Sequence, residues 1–224
     1  MLTGGAGRRA LDRAFEDVFG VPEAFEAVPM AGRTDPLIIR DACARHGVVL
    51  DGRHDALQER YFEHLARELP RGAPGKRLLP GVRPLLEALQ ADSGAILGLL
   101  TGNFAASARL KREQFELWHY FETGAYGDDA PERIGLVEVA VRRVAERGHE
   151  AVPFSRVVVV GDTPHDVACA RAAGARSLAV ATGSSTTAEL EAAGADVAIP
   201  DLASTSDVLD LIGALAGGNA TGWD

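Results

Sequence analysis

The stretch RVVVVGDTPHDVACARAAGARSLAVATG, residues 156–183, decides the fold of this chain. It begins with an apolar, β-branched run that ends at Gly161, a pattern typical of a strand buried on both faces. A helical segment follows from His165 to Ala173, and a second apolar run begins at Arg176. Strand, helix and strand in this order predict two parallel strands of one sheet with the helix packed against it.

The same alternation continues on both sides of this stretch. Two further apolar runs, Ala95 to Asn103 and Asp196 to Pro200, are typical of buried strands. Further helices are predicted over residues 105–117, 131–147, 186–193 and 206–216. This pattern predicts an α/β fold, a Rossmann-like parallel sheet with helices on both faces. Because open sheets of this kind bind ligands at the carboxyl ends of their strands, we expect the chemistry there.

The first part of the chain lacks this alternation, and only helices are predicted in it. The first helix has apolar residues on one face and is followed by Gly20, a typical helix stop. The apolar positions are Leu11, Ala14, Phe15, Val18 and Phe19. A second helix is predicted from Pro36 to His46, with Thr34 or Asp35 as its cap, and a third from His54 to Leu69.

A change of character near residue 80 suggests two domains. The segment from Pro70 to Gly81 is rich in proline and glycine and is typical of a linker. We therefore expect a helical domain with its linker over residues 1–79, an α/β core over residues 80–217 and a C-terminal tail over residues 218–224.

The composition excludes several classes of protein. The 224 residues carry 23 Lys and Arg against 32 Asp and Glu, a formal net charge of −9, without a basic cluster. Nucleic acid and membrane surfaces are therefore not expected partners, because both bind clustered positive charge. Cys43 and Cys169 lack the CxxC spacing of a zinc site. No apolar run approaches the roughly 18 residues of a membrane span and no signal peptide is recognisable, so a cytoplasmic protein is expected.

The first predicted strand of the core ends in Thr101, Gly102 and Asn103, and a helix follows at once. A hydroxyl group and consecutive backbone amides at a helix N-terminus form an anion site, because the free N–H groups and the helix dipole favour negative charge. Phosphate is the candidate ligand. The alternative is that Thr101 or Asn103 only caps the helix.

The second candidate site lies in the stretch quoted above. Asp162 follows a strand directly and Asp166 lies four residues later, so both carboxylates can reach the same corner. Mg²⁺ is bound by one or two carboxylates together with water and substrate phosphate. The alternative is that Asp162 and Thr163 cap the following helix while Asp166 favours its dipole. An anion site and a cation site at one sheet edge together favour phosphoryl chemistry.

These motifs resemble those of the haloacid dehalogenase (HAD) superfamily of hydrolases. The matching elements are LLTGN (residues 99–103), GDTPHDVACARAAGA (residues 161–175) and VATG (residues 180–183). The resemblance is greatest to phosphoglycolate-phosphatase-like members, which carry a helical cap domain inserted early in the chain. It implies that the helical domain of residues 1–79 is such a cap.

The resemblance implies a role for each residue of the two sites. Thr101, with the backbone of Gly102 and Asn103, corresponds to the phosphate-binding second motif. Asp162 corresponds to a direct ligand of the Mg²⁺ cofactor, and Asp166 to a direct or water-mediated partner of the ion.

Two arginines complete the implied site. The basic third motif, usually lysine, corresponds to Arg133, whose forked guanidinium suits a phosphoryl group. The alternative is a solvated residue in a first helical turn. Asp128 and Asp129 are expected to be loop and capping residues. In the cap, Arg33 is a candidate for binding a substrate carboxylate or second phosphate, although a solvent-facing Arg33 is equally compatible with the sequence.

The first motif of the family, DxDxT, is absent from the sequence. Its first aspartate is the nucleophile that forms an aspartyl-phosphate, and its second is the general acid and base. The opening residues MLTGGAGRRALDRAF resemble what normally follows that motif. The missing strand would be central, between the strands that end in Thr101 and Asp162. We therefore expect a natural protein with about 10–15 further residues, the reach of one strand and its turn.

The sequence thus predicts a Mg²⁺-dependent phosphatase acting on a small phosphorylated metabolite, inactive without its first motif, and either a monomer or a homodimer. A dehalogenase or phosphomutase on the same scaffold is the first alternative, although dehalogenases need no Mg²⁺. A catalytically dead binding module is the second. His54, His119 and His165 are expected to be packing or surface residues.

Overall fold

The computed structural model describes residues 1–92, 94–130 and 132–217. Two predictions fall partly or wholly outside the described residues. The predicted tail of residues 218–224 lies beyond them, and so does Pro131, the predicted start of a helix.

Three helices form the first part of the chain: α1 (Ala6–Phe19), α2 (Asp35–His46) and α3 (His54–Glu68). Their ends follow the predicted signals. Thr34 caps α2 by accepting a hydrogen bond from the amide of Leu37, and Gly20 and Gly47 follow α1 and α2 with φ near 70°. The three helices share one apolar core that includes Phe15, Phe25, Ile38, Leu57, Tyr61 and Leu65.

Five short parallel strands form the core: β1 (Gly98–Leu100), β2 (Thr123–Ala125), β3 (Val158–Gly161), β4 (Arg176–Val180) and β5 (Val197–Ile199). β1 pairs with β2, and β4 lies between β3 and β5. The register places Gly161 beside Ala179 and Leu178 beside Val197. The predicted α/β class with a parallel sheet is confirmed.

Six helices follow in the core: α4 (Val82–Ala91), α5 (Ala105–Glu113), α6 (Leu136–Glu146), α7 (Pro164–Ala173), α8 (Thr187–Ala192) and α9 (Thr205–Leu215). Successive residues of a strand point to opposite faces of a sheet, so each face of the β3–β4–β5 sheet can pack against helices. Leu178 packs with α4 and α9, whereas its neighbour Ala179 packs with α7 and α8. None of the helices among the described residues is both long and apolar enough to cross a membrane.

Two elements have no counterpart in the sequence-based prediction. β2 consists of Thr, Gly and Ala, so it lacks the apolar run by which strands are recognised and becomes a strand through its pairing with β1. α4 directly follows the predicted linker. The prolines and glycines of that linker are typical of irregular structure, so they did not indicate a helix beginning beside them. The boundary between the two domains stays a prediction. Phe104, just before α5, is fully buried in the core of the helical domain.

A gap separates the two sheets. In the described part of the chain β1 and β3 form no hydrogen bonds with each other, although Leu100 and Val159 belong to one apolar cluster beneath them. Val160, in the middle of an apolar strand, is 43% exposed. β1 and β3 are thus the two strands between which the sequence analysis expects a further strand.

The exposure of β3 can be tested by comparing two substitutions. Leu178→Ala should lower the free energy of unfolding by about 2–5 kcal/mol because it leaves a cavity in a closed core. Val160→Thr should cost about 0.5 kcal/mol or less, since a half-exposed side chain loses little burial. Urea unfolding measures both. A cost for Val160→Thr that approaches that of Leu178→Ala would show that Val160 is covered in solution.

Candidate active site

The predicted site residues converge on one edge of the sheet. Thr101 directly follows β1 and Asp162 directly follows β3, so both stand at the carboxyl ends of parallel strands. Arg133 lies in a 3₁₀ turn (Arg133–Gly135) before α6, and Asp166 lies in the first turn of α7. Elements far apart in sequence thus bring an anion-binding loop, a guanidinium and two carboxylates together.

Asp162 has the carboxylate most available for a ligand. Its own backbone amide donates a hydrogen bond to it, but no other described residue does so. Burial, followed by the negative charge of Asp166, raises the pKa of Asp162. Gly183 faces this carboxylate closely: a Cβ atom there would lie 2.7 Å from Asp162 Oδ2. The lack of a side chain at Gly183 therefore leaves room for the Asp162 carboxylate.

Asp166, in contrast, is fully engaged. It is 3% exposed and accepts hydrogen bonds from the amide of Thr163 (3.1 Å) and the hydroxyl of Thr163 (2.7 Å). Thr163 in turn accepts a hydrogen bond from the amide of Asp166, which completes a capping box at the start of α7. The other carboxylate oxygen of Asp166 is ion-paired with Arg133. Thr163 thus caps α7 as the alternative expects, together with Asp166, whereas Asp162 takes no part in this cap.

Arg133 is an interior residue rather than a solvated one. Its side chain is 17% exposed, and its Nε atom is buried without a hydrogen-bond partner among the described residues. Cys169 donates a hydrogen bond from Sγ to the carbonyl of Arg133 (2.9 Å), which fixes the turn that carries this arginine. The alternative of a solvent-facing Arg133 is wrong, since Asp166 and the apolar face of α7 hold it inside.

The residues Thr101, Gly102 and Asn103, which we call the phosphate loop, are only partly free to bind an anion. The amide of Asn103 donates to Thr101 Oγ1 (3.2 Å), and Thr101 is 7% exposed. The next two amides are taken by carboxylates of the protein, Phe104 N by Asp35 (2.9 Å) and Ala105 N by Asp128 (2.5 Å). Among the described residues the amide of Gly102 has no partner, so it is the backbone donor that remains.

Asp128 and Asp129 have the roles expected of loop and capping residues. Asp128 caps α5 through Ala105, while Asp129 forms two hydrogen bonds of 2.6 Å with Arg143. Arg33 binds Asp41 (2.5 Å) and the carbonyl of Pro29 within the cap. Its guanidinium is thus already paired, so substrate binding by Arg33 would require it to exchange these partners.

The cap reaches the sheet edge through a loop of residues 30–34, the cap loop. Gly32 has φ 71°, and a Cβ atom at this position would lie 2.6 Å from the His165 ring and 2.8 Å from Thr163 Oγ1. Its carbonyl is also 3.5 Å from Arg133 Nη1. Sequence reasoning did not single out Gly32, although its place before Arg33, a candidate residue, is a signal that could have found it.

The three histidines behave as packing residues. His54 meets the ring of Phe104 edge-on at 6.2 Å, and His119 lies 4.1 Å from the ring of Tyr120. His165 lies against Gly32 of the cap loop. The expectation that these side chains pack rather than serve as catalytic bases agrees with these contacts.

Arg112 on α5 is a residue that the sequence did not mark. Its Nη1 atom is buried without a hydrogen-bond partner among the described residues. Burial lowers its pKa to about 10; the positive charge of Arg133 contributes, while Tyr126 and Asp35 oppose the shift. Burial and the positive charge of Arg112 also lower the pKa of the Met1 amino group. The negative charge of Asp162 opposes this shift. Positive charge without a full complement of partners is therefore concentrated near Asp162.

The arrangement combines the elements that phosphate chemistry needs. A free carboxylate, a buried guanidinium and a free backbone amide face one edge of the sheet, and the cap loop covers part of it. In the described part of the chain, no group of three or more Asp, Glu, His or Cys side chains is placed to hold a metal ion. A cation at this edge would have Asp162 as its available protein ligand, and phosphate or water would supply the others.

Comparison with known sequences agrees with this geometry. The model of a family described as HAD-hydrolase-like matches residues 133–205, the stretch that contains Arg133, Asp162 and Asp166. This part of the chain is therefore similar to HAD-like hydrolases. Over 136 residues the chain is 33% identical to the probable phosphatase IndB of Dickeya dadantii (strain 3937). That match covers 60% of this chain and 56% of IndB, so the chain spans little more than half the length of this curated relative.

Several solved structures share the α/β fold of this chain. A predicted phosphoglycolate phosphatase from Haemophilus somnus 129PT is 20% identical, with a TM-score of 0.66 over 93% of this chain and 91% of that one. A hydrolase from Pseudomonas syringae is also 20% identical, with a TM-score of 0.67 over 92% and 91% of the two chains. CbbY from Rhodobacter sphaeroides, solved with phosphate, is 21% identical, with a TM-score of 0.65 over 90% and 89%. At these identities the likeness shows the fold alone.

The raised pKa of Asp162 predicts an effect of pH on stability. Because the fold disfavours the ionised carboxylate, ionised Asp162 destabilises the protein at neutral pH. Asp162→Asn should therefore raise the Tm at pH 7, and the gain should shrink as the pH falls through the raised pKa, where the wild-type carboxyl becomes neutral. Thermal unfolding between pH 2 and pH 8 measures this.

Asp196→Asn is the matched control with the opposite sign. Burial alone raises the pKa of Asp196, but hydrogen bonds from the amide and hydroxyl of Ser177 and from Arg176 outweigh burial and lower it. Its ionised form thus stabilises the fold, and Asp196→Asn should lower the Tm at pH 7, with a loss that shrinks as the pH falls through the lowered pKa. A loss of stability at pH 7 in both variants would contradict the assignment of Asp162.

Proposed function

We propose that this chain contributes most of a Mg²⁺-dependent phosphatase that hydrolyses the monoester of a small phosphorylated metabolite. One observation carries this proposal: the free carboxylate of Asp162 lies at the same sheet edge as the buried guanidinium of Arg133 and the phosphate loop. A cation site and an anion site at the ends of neighbouring strands suit a phosphate ester, which carries negative charge and is bound together with Mg²⁺. A cytoplasmic protein that is a monomer or a homodimer is part of this proposal.

Each residue would have a defined task. Thr101 and the amide of Gly102 would bind the phosphoryl oxygens, and Arg133 would neutralise charge on the transferring group while Asp166 holds the guanidinium in place. Asp162 would bind Mg²⁺, with Asp166 as a direct or water-mediated partner. When bound, Mg²⁺ offsets the negative charge of the phosphate and orients it.

The nucleophile in this proposal belongs to a further strand between β1 and β3. Three observations support such a strand: the facing edges of β1 and β3 are not paired with each other, Val160 is exposed, and Arg112 Nη1 lacks a partner in the described residues. A strand that ends in the family's DxD motif would pair with both edges and bring carboxylates to the side where positive charge is concentrated. The 224-residue chain would then bind phosphate without hydrolysing it.

Activity assays of two proteins test the proposal. One is the 224-residue chain, and the other carries an added N-terminal strand that ends in DxDxT. With p-nitrophenyl phosphate and Mg²⁺, we expect phosphate release only from the extended protein. Asp162→Asn in the extended protein should lower kcat by about 100-fold or more, as the loss of a group that stabilises charge in the transition state does. Phosphoglycolate is the first metabolite to test.

The control substitution is Asp210→Asn on α9, an exposed carboxylate outside the site, which should leave kcat unchanged. Mg²⁺-dependent turnover by the 224-residue chain would refute its predicted inactivity. An extended protein that is folded and binds phosphate but never turns it over would favour the catalytically silent binding module. Turnover of a haloacid without Mg²⁺ would favour a dehalogenase.

A further inference from the structure

Asp35, the first residue of α2, makes its side-chain hydrogen bonds with a segment 68–72 residues later in the chain. It is 2% exposed, and all three side-chain hydrogen bonds that it accepts come from the start of α5 and the loop before it. Oδ1 accepts from Asn103 Nδ2 (3.0 Å), and Oδ2 accepts from the amide of Phe104 (2.9 Å) and the hydroxyl of Ser107 (3.1 Å). A cap residue thus occupies the N-terminal end of a core helix.

This carboxylate lies where two helices begin. α2 starts at Asp35 itself and α5 starts one residue after Phe104, so the positive ends of both helix dipoles meet at one buried carboxylate. Lys111 of α5 is buried nearby; burial lowers the pKa of Lys111, and the charge of Asp35 opposes this shift. Without Asp35, the side chain of Asn103 and the amide of Phe104 would lose their acceptor beside two like dipole ends, while the Ser107 hydroxyl would keep the carbonyl of Phe104 (3.0 Å).

The backbone contacts are equally close at this point. The amide of Asp35 donates to the carbonyl of Gly102 (2.7 Å), and a Cβ atom at Gly102 would overlap the carbonyl of Arg33. On the other side, the amide of Gly127 donates to the carbonyl of Asn103 (2.8 Å). The phosphate loop is therefore held between the start of α2 and the loop that follows β2.

We propose that Asp35 is a positioning residue that couples docking of the cap to the shape of the phosphate loop. Asp35 holds Asn103 and Phe104 only while the cap is docked, so the loop has its phosphate-binding shape only in that state. The coupling is reciprocal, because a ligand that favours one state of the loop must favour the docked cap by the same factor. This inference rests on the proposed function in one respect, namely that the loop binds phosphate.

An ordinary helix cap binds only groups at the start of a helix, whereas Asp35 also binds a residue of the loop before it. Thr34 already caps α2, and Asp128 already caps the amide of Ala105 at the start of α5. Asp35 adds a bond to the side chain of Asn103, a residue of the loop rather than of the helix. Its substitution should therefore change ligand affinity and cap docking together, which a residue that only stabilises α5 would not do.

The variants Asp35→Asn and Ser107→Ala test the coupling in the 224-residue chain. Asp35→Asn keeps the size of the side chain and removes its charge, while Ser107→Ala removes the hydroxyl that contacts Asp35 and the Phe104 carbonyl and introduces a good helix former. Asp12→Asn is the matched control, since Asp12 accepts a hydrogen bond from the Phe25 amide (2.9 Å) wholly within the cap. The measurements are the Kd for inorganic phosphate, by calorimetry, and amide hydrogen exchange.

We expect Asp35→Asn to weaken phosphate binding by about tenfold or more, within the usual range of coupling between sites, and Ser107→Ala to weaken it less. Asp12→Asn should leave the Kd unchanged even if it lowers the Tm. In the wild-type chain, phosphate should slow exchange in residues 35–39 of the cap as well as in residues 102–108, and Asp35→Asn should abolish the effect on the cap. Folded Asp35→Asn with an unchanged phosphate Kd would overturn the proposal.

Failure of the proposed function can be distinguished from failure of the Asp35 coupling. If the wild-type chain binds no phosphate, exchange without ligand still tests the coupling. Faster exchange in residues 35–39 and 102–108 together in Asp35→Asn, but in neither segment in Asp12→Asn, supports it. Faster exchange confined to residues 102–108 overturns it, because Asp35 would then stabilise α5 alone.

Discussion

Backbone pairing across the sheet is the constraint on which the rest of this structure depends. Each strand needs a partner for its N–H and C=O groups, and within the part of the chain that the structure describes β1 and β3 are partnered on one side only, by β2 and by β4. What holds the two sheets together is side-chain packing: Leu100, Val137 and Val159 join in a cluster with Cys169 and Ala170 of α7. The helices thus keep β1 and β3 side by side, and with them the loops that end in Thr101 and Asp162.

Two carboxylates organise the site without being its free ligands. Asp166 holds Arg133 inside, and Asp35 holds the start of α5 against the cap. Both are buried and fully hydrogen-bonded, which is how buried charge becomes tolerable. Asp162 differs from both in its raised pKa and its lack of hydrogen bonds from other described residues. The contrast separates residues that position the site from the one that is free to bind.

The sequence predicts this fold wherever the signal is local. β3, α7 and β4 are recognisable from a β-branched run, a capping threonine and Gly174 at the end of the helix, with φ 71°. β2 is not, because its strand state comes from a partner some 25 residues earlier. The same holds for the site. Asp162 and Arg133 follow from motifs, whereas the role of Asp35 depends on Asn103 and Ser107, 68 and 72 residues away, a distance at which no local pattern exists.

The exposure of Val160 has a consequence for how the chain behaves at high concentration. β3 presents an apolar, unbulged edge, and an edge of this kind is a template for strands of other molecules. Natural sheets protect their edges with charge, proline or a covering element, none of which occurs within Val158–Gly161. Strands of other molecules are therefore expected to add at this edge as the protein concentration rises, which would limit colloidal stability.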